Sequence, residues 1–546
     1  MKSVSNFNFA QVPPPQIQRS VFNRSRGYKT TFNEGDLIPI FLDEVLPGDT
    51  MSLTCQLFGR LASLLFPIMD NVYLDMFFFY CPNRLLWNHW EQFQGAQANP
   101  GDTTDYEIPI LAPAEGAYVN FDLGTLGDYF GLPTNDNIAP DVTPINVLPF
   151  RMYNFVWNQW FRDENLQNSV PFIPDDGPEY ESHFTILKRG KRHDYITSCL
   201  PWPQKGDAVS IPIGTSAPVV GTGYTLGLID GTDRMGILTD NAQPGLVGYS
   251  KSSAGAVVGS SWTGSPTSTS KVIGVDTNPA YSGLIADLSS ATAATINQLR
   301  EAFAFQKVYE RDARGGTRYT EILNAHWGVT VPDFRLQRPE YLGGYSQRMS
   351  INQVPQTSES GTTPQANLAA YGMVSSRAGF HRSFVEHGYV MGLVNVRADL
   401  SYQQQVHRMW SRRTRFDFYM PALAHLGEQG VLNQEVHYGS ELSPELVFGY
   451  QERWAEYRYG NTMVTNLFRS NNYIPGGTGS LDAWHLALNF GDDPTPLNAT
   501  FIQDNAPLER TVAVPSEPRV ILDSYFDIKH ARPMPVYSVP GQLDRF

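Results

Sequence analysis

Two runs of basic side chains stand out in an otherwise acidic chain. Lys188, Arg189, Lys191 and Arg192, followed by His193, form the first; Arg408, Arg412, Arg413 and Arg415, with Trp410 among them, form the second. Guanidinium groups beside an aromatic ring suit phosphate contact combined with base stacking, the usual way of holding a single nucleic-acid strand. The same runs also suit a solvated face or an ion-pair seam between subunits, and the residues alone leave these readings level. The formal net charge of −14 argues against a protein that coats nucleic acid over its whole surface, so any DNA contact is local.

Catalytic and metal chemistry find less support. The chain has neither a G-x-x-x-x-G-K-[ST] phosphate loop nor a G-x-S-x-G nucleophile turn. Gly221, Gly223 and Gly227 miss a dinucleotide fingerprint by one residue, in a Ser/Thr-rich stretch with no following helix. His381, Glu386 and His387 lie close in sequence, but the two imidazoles have neither the i, i+4 spacing of a helical zinc site nor the H-x-x-E-H order. His407, His425 and His437 are isolated, and imidazoles of this kind are usually surface or interface hydrogen-bonding groups. Asp175 with Asp176, and Asp492 with Asp493, sit beside Pro and Gly and read as turns; calcium would suit such oxygens, but no complete ligand loop is visible. Cys55, Cys81 and Cys199 are too few and too far apart for a zinc cluster or a disulfide framework, and read as buried thiols of a reducing compartment. No cofactor or metal is implied, and the chain is not read as an enzyme. A carbohydrate-active enzyme of β architecture stays as an alternative, needing two carboxylates at glycosidase separation.

The elements that would position these residues are mainly β. Met51 to Phe58, Val72 to Tyr80 and Val390 to Val396 are short, aromatic or β-branched runs bounded by turn residues, as strands are. Three helices are expected between strands. Asn83 to Gly95 places Leu86, Trp90 and Phe93 on one face with Asn83 as its N-cap. Pro149 to Phe161 aligns Tyr153, Val156, Trp157 and Trp160. The third opens on a Thr295/Gln298 capping box, carries Ile296, Leu299 and Phe303, and stops near Gly315 and Gly316. All three stripes read as core packing. Helices and strands do not alternate regularly, which disfavours a doubly wound parallel sheet and favours an antiparallel β domain with long helical and irregular insertions.

Residues 1–35, with Pro13 to Pro15 and scattered Arg and Lys, read as an extended arm. Segments 36–210 and 291–546 carry the β core. Between them, 34 of the 80 residues at 211–290 are Gly, Ser or Thr and only 8 are charged, yet β-branched pairs such as Val219 with Val220 recur, so an ordered surface insertion is expected. Charged residues make up 17% of the chain and aromatics 12%, which leans towards surface that faces other protein. The N-terminus does not resemble a secretory signal. The most apolar stretch, Leu61 to Tyr80, holds Pro67, Asp70 and Asp75, so no membrane insertion is expected.

Longer stretches carry a more specific signal. RSVFNRSRGYKTTFNEGDLIPIFLDEVLPGDT (19–50), MDNVYLDMFFFYCPNRLLWNHWEQFQG (69–95), WNQWFRDENLQNSV (157–170) and KRHDYITSCLPWPQKGD (191–207) are followed by INQLREAFAFQKVYERDARGGTRYTEIL (296–323), RLQRPEYLGG (335–344) and FGYQERWAEYRY (448–459). With these stretches the chain closely resembles the major capsid proteins of the Microviridae, in the gokushovirus branch. The resemblance implies an eight-stranded antiparallel jelly roll of the viral capsid type with long insertions. It implies assembly with copies of itself into a T=1 icosahedral shell around a circular single-stranded DNA genome, in the cytoplasm of a bacterial host. It further implies an internal scaffolding protein and a small basic DNA-packaging protein as partners. Segment 211–290 is similar in position to an insertion that forms a three-fold protrusion and contacts a host surface receptor. A spike protein built around that segment is the alternative, disfavoured because the family stretches fill the rest of the chain. Trp87, Trp90, Trp157, Trp160 and the FGYQERW segment (448–454) are read as core anchors.

Overall fold

The computed structural model describes residues 18–113, 118–134, 138–140, 143–209, 295–438, 445–470, 480–490 and 496–537, with short strands between 219 and 286. Its contacts divide the chain into two units, residues 1–205 with 310–546, and residues 206–309.

The larger unit is built on two antiparallel sheets. The first contains β1 (Ser20–Asn23), β2 (Arg26–Phe32), β4 (Thr50–Leu61), β7 (Ser350–Pro355), β8 (Leu368–Ser383) and β12 (Val520–Arg532). Its order is β1-β12-β4-β8-β7, with β2 also on β12. The second contains β3 (Ile38–Val45), β5 (Val72–Pro82), β6 (Glu340–Arg348) and β9 (Gly388–Ala398), in the order β6-β5-β9-β3. The expected strands are all present and somewhat longer than the sequence marks them. Within the segment read as an arm, β1 and β2 pair with the last strand of the sheet, and Phe32 enters the core.

Side-chain alternation decides which way each sheet faces. On β4, Met51, Leu53, Cys55 and Leu57 point into the core while Gln56, Phe58 and Arg60 point out. On β12, Val520, Leu522, Ser524, Phe526 and Ile528 are buried, and the residues that alternate with them are exposed. The first sheet therefore has one dry face. The second has two. Leu74, Met76 and Phe78 of β5 and Val390, Val394 and Val396 of β9 complete the core shared with the first sheet. Phe79, Cys81, Tyr389, Met391 and Leu393 point the other way, into a second core.

That second core is closed by the insertion after β5. Helix α1 (Leu148–Val156) contributes Phe150, Met152, Tyr153 and Val156 and continues through a π-helical turn, Trp157–Phe161. The Tyr153 hydroxyl donates to the Leu37 carbonyl at 2.8 Å and accepts from the Leu187 N–H at 2.9 Å, tying the helix to both flanking segments. The helix expected over 83–95 is instead two short turns, Asn83–Leu86 and Trp90–Phe93, and Pro82, not Asn83, occupies the N-cap. Trp87 breaks it: its backbone is extended, its ring is fully buried, and its indole N–H donates to Asp176 at 2.8 Å. Trp87 and Trp157 are core residues, and Trp90 and Trp160 pack against the same core.

Helix α2 (Ile296–Arg314) starts as expected, with Thr295 Oγ1 accepting from the Gln298 N–H at 3.2 Å and the Gln298 side chain accepting from the Thr295 N–H at 2.8 Å. Its stripe differs from expectation, because Ile296, Leu299 and Phe303 are exposed. In the smaller unit the described strands pair antiparallel, Asp233–Thr239 lying between Val247–Lys251 and Leu228–Asp230. Gly223, Gly227, Asp492 and Asp493 fall outside the described residues. No described helix is long and apolar enough to cross a membrane.

Two neighbours on β12 test the alternation. Phe526 is 1% exposed and Tyr525 50%. Phe526→Ala is expected to destabilise the subunit by about 3–5 kcal/mol, and Tyr525→Ala by about 0.5 kcal/mol or less, in urea unfolding of unassembled protein.

Candidate nucleic-acid interface

The first basic run folds inwards. Asp75 is the one charge on the otherwise apolar β5, and it is buried. Arg189 meets it at 2.5 Å and Arg397, from β9, at 2.8 Å. Burial alone would raise the Asp75 carboxyl, but the two guanidiniums outweigh it and hold the group below its usual range. Arg189 also stacks over Phe77 and Phe161. Lys191 is 3% exposed, lies over the Phe501 ring, and is pushed down to about 8 by burial. Arg192 is half-buried, bonded to Asp399 at 3.0 Å and stacked on Tyr73. The Lys188 backbone bridges to Asp36, and its carbonyl accepts from the Trp157 indole. This run neutralises buried carboxylates where the insertion crosses the second sheet.

The second run divides. It is carried by a loop over the hairpin of β10 (Glu428–Leu432) and β11 (Val447–Glu452), which rests on a third core that includes Tyr195, Tyr402, Val431 and Phe448. Arg408 turns in to the Gly430 carbonyl at 2.8 Å and to Glu435 at 3.3 Å. Arg412 turns in to Glu456 at 3.0 Å and stacks over Tyr457. Arg413 and Arg415 turn out and make no ion pair among the described residues. Asp417 accepts from the backbone N–H groups of Arg413 and Thr414, and these bonds hold its carboxyl below the usual range. Around the outward pair, Trp410 is 74% and Phe416 64% exposed, with Phe418 and Tyr419 beside them. Cations anchored from below by two inward arginines and framed by exposed rings form a surface suited to phosphate and unstacked bases.

The other candidates are not brought together. Glu386 pairs with Arg84 at 2.6 Å, and His387 packs its ring against Trp90. The His407 ring caps the Met409 N–H. Asp175 lies 3.3 Å from Arg151, and Asp176 2.7 Å from His89. The three thiols are buried and unpaired, and burial pushes Cys55 up to about 12. Trp454 is buried, as expected for the FGYQERW segment, but the local reading of sequence did not place Arg453, Trp454 or Phe416 beside this loop. Arg453 and Trp454 stand some forty positions after the loop, and only the pairing of β10 with β11 returns them to it.

The sequence model of a family described as "Capsid protein (F protein)" matches residues 10–542. The chain belongs to this phage capsid protein family. It is 46% identical to the capsid protein VP1 of Bdellovibrio phage phiMH2K, over 99% of this chain and 98% of the relative. Against capsid protein VP1 of Chlamydia phage 1 the identity is 42%, with 99% and 98% covered, and against that of Spiroplasma virus 4 it is 34%, with 98% and 97% covered. The resemblance to gokushovirus capsid proteins drawn from the seven sequence stretches holds along the whole chain. This capsid-family subunit is a component of a virion, and its described architecture is mainly β.

Buried carboxylates near the first run give a pH signature. Asp504 is 1% exposed, and burial pushes it up to about 6 from an ordinary 3.8, against the opposing charges of Arg397 and Lys191. The folded state thus holds this proton more tightly than the unfolded chain. The stability it confers is full below about pH 4 and lost as pH rises through 6. Asp504→Asn is expected to remove that loss, on the order of 3 kcal/mol between pH 4 and pH 7, as read from urea midpoints of both proteins across the range.

Proposed function

We propose that the chain is the shell-forming subunit of a T=1 icosahedral capsid that encloses a circular single-stranded DNA phage genome. The observation that carries this reading is the near end-to-end relation to three capsid proteins VP1, with at least 97% of each relative covered. We read β2-β12-β4-β8 and β3-β9-β5-β6 as the two sheets of an eight-stranded jelly roll. In support, β2, β3, β4 and β5 fall in alternate sheets along the chain, and so do β8, β9 and β12. Closed symmetry would let several modest contacts per subunit build a finite shell, and the subunit acts by association, without catalysis.

On this reading the outward Arg413 and Arg415 face the genome, with Trp410 and Phe416 stacking on its bases. Lys188, Arg189, Lys191 and Arg192 serve the fold first; Lys191 is buried, while Lys188, Arg189 and Arg192 keep part of their side chains open to solvent for a strand. Segment 211–290 is the surface insertion, with a host receptor as its partner, between core segments 36–210 and 291–546 and after an arm at 1–35. Assembly in the bacterial cytoplasm draws on an internal scaffolding protein and a small basic DNA-packaging protein.

Expressed with the other proteins of its phage, the chain is expected to give uniform small closed shells in negative-stain images; a stable monomer or lone trimer would overturn the reading. Replacing Arg413 and Arg415 by Gln is expected to leave shells intact and to reduce the salt slope of strand binding by about 1.4, roughly 0.7 per phosphate contact on a single strand. An unchanged slope would remove this loop from the genome contact.

A further inference from the structure

Where the first basic run crosses β5, a cavity of about 730 Å³ opens beside the second sheet, within the size range of small-ligand pockets, roughly 300–1,000 Å³. Three segments far apart in the chain meet in its wall: the stretch after α1 from Trp160 to Asn165, the run from Arg189 to His193, and the turn from Gly316 to Arg318. Six cations line it against four carboxylates, and most of that charge is already matched. Asp75 takes Arg189 and Arg397, and Glu164 takes Arg318 at 3.0 Å and Arg162 at 3.5 Å. Arg318 also reaches Glu321 at 3.2 Å, and Asp163 accepts from the N–H groups of Asn165 and Leu166.

Lys191 is left over. It is 3% exposed and lines the cavity, yet its ammonium has neither a hydrogen-bond acceptor nor an ion pair among the described residues. The Phe501 ring, 4.4 Å away, covers one side of it. Asp504 and Asp194 act on it electrostatically, but neither comes within ion-pair distance. Burying an ammonium without an acceptor is costly, so a lysine held this way calls for an anion from outside the chain. Its two neighbours on the lining have donors to spare. Arg192 gives its Nε to Asp399 and stays 33% exposed, and Arg189 gives one Nη to Asp75 and stays 18% exposed. The remaining N–H groups of both guanidiniums make no hydrogen bond among the described residues.

We propose that this cavity binds one small oxyanion of the phosphate class, inorganic phosphate or the phosphate of a small monoester, on Lys191, Arg189 and Arg192. A tetrahedral phosphate presents oxygens to donors arriving from three side chains at once, where a carboxylate has only two to share. A nucleic-acid strand laid through the cavity would fare worse. Glu321, 38% exposed, and Asp163 stand on the same lining and would repel the phosphates on either side of the bound one. The bound anion ties the stretch after α1, the basic run and the 316–318 turn to the second sheet, so it stabilises the folded subunit by mass action. Nothing in this site depends on the 408–416 loop meeting the genome.

The test is the thermal midpoint of the full, unassembled chain, followed by intrinsic fluorescence as sodium phosphate replaces sodium chloride at constant ionic strength. Millimolar phosphate should raise the midpoint saturably, by about 2 °C or more. Lys191→Met keeps an apolar stem and removes the charge, and should abolish the rise. Arg192→Gln, on a partly exposed side chain, should raise the phosphate concentration required roughly tenfold, the scale of one charge-assisted hydrogen bond. It decides the matter if the Lys191 variant folds poorly. Glycerol 3-phosphate acting at lower concentration than inorganic phosphate marks a monoester as the ligand, and the reverse order marks free phosphate; either supports the site. No rise in the wild type, or a rise that persists in both variants, overturns it. So does an equal rise with acetate, which would make this a carboxylate site, or a thymidylate pentamer that acts at lower phosphate content than the free ion, which would make it a strand contact.

Discussion

Burial of the second sheet on both faces is the constraint from which much of the larger unit follows. One face completes the sandwich core with β4, β8 and β12, and the other holds Phe79, Cys81, Tyr389, Met391 and Leu393 against α1, Leu86 and Trp87. An antiparallel sheet can leave one face to water; this one cannot, because β5 and β9 are apolar on both sides. The insertion after β5 is therefore part of the fold. The single acid of β5 then needs company. Asp75 would be an uncompensated buried charge without Arg189 and Arg397, and breaking such a pair typically costs about 3–5 kcal/mol. The first basic run lies where the insertion crosses the sheet, so its charge density answers a demand of the core.

The second basic run answers a different demand. Arg408 and Arg412 spend their charge on the buried Glu435 and Glu456 and so pin the loop to the β10–β11 hairpin. With its base pinned, the loop holds Arg413, Arg415 and the exposed rings in a defined arrangement. An acidic chain can meet a polyanion at such a place because salt limits the reach of its other charges to about 10 Å.

Strands were legible in sequence because period-two alternation and turn residues mark them locally, as at Met51–Phe58. Helix α1 and the capping box of α2 were legible for the same reason. The break at Trp87 was not, since it comes from a tertiary bond to Asp176, some ninety residues on. Nor was the exposure of Phe303, because a stripe on a helix says that it is apolar and not what covers it. The basic runs were visible as composition, but their inward or outward direction depends on partners such as Asp75, Glu435 and Glu456 that lie far away in the chain. Arg453 stayed hidden because only strand pairing delivers it to the loop. The family, by contrast, was legible from long stretches that no single motif represents.

The account's central claim is that this capsid subunit builds a closed shell with the 408–416 loop turned to the genome. The most direct measurement is an electron cryomicroscopy map of filled particles. The account predicts an icosahedral shell of sandwich domains in which Trp410, Arg413, Arg415 and Phe416 line the inner surface against nucleic-acid density. A map that places this loop on the outer surface, or buries it between subunits away from such density, would contradict it.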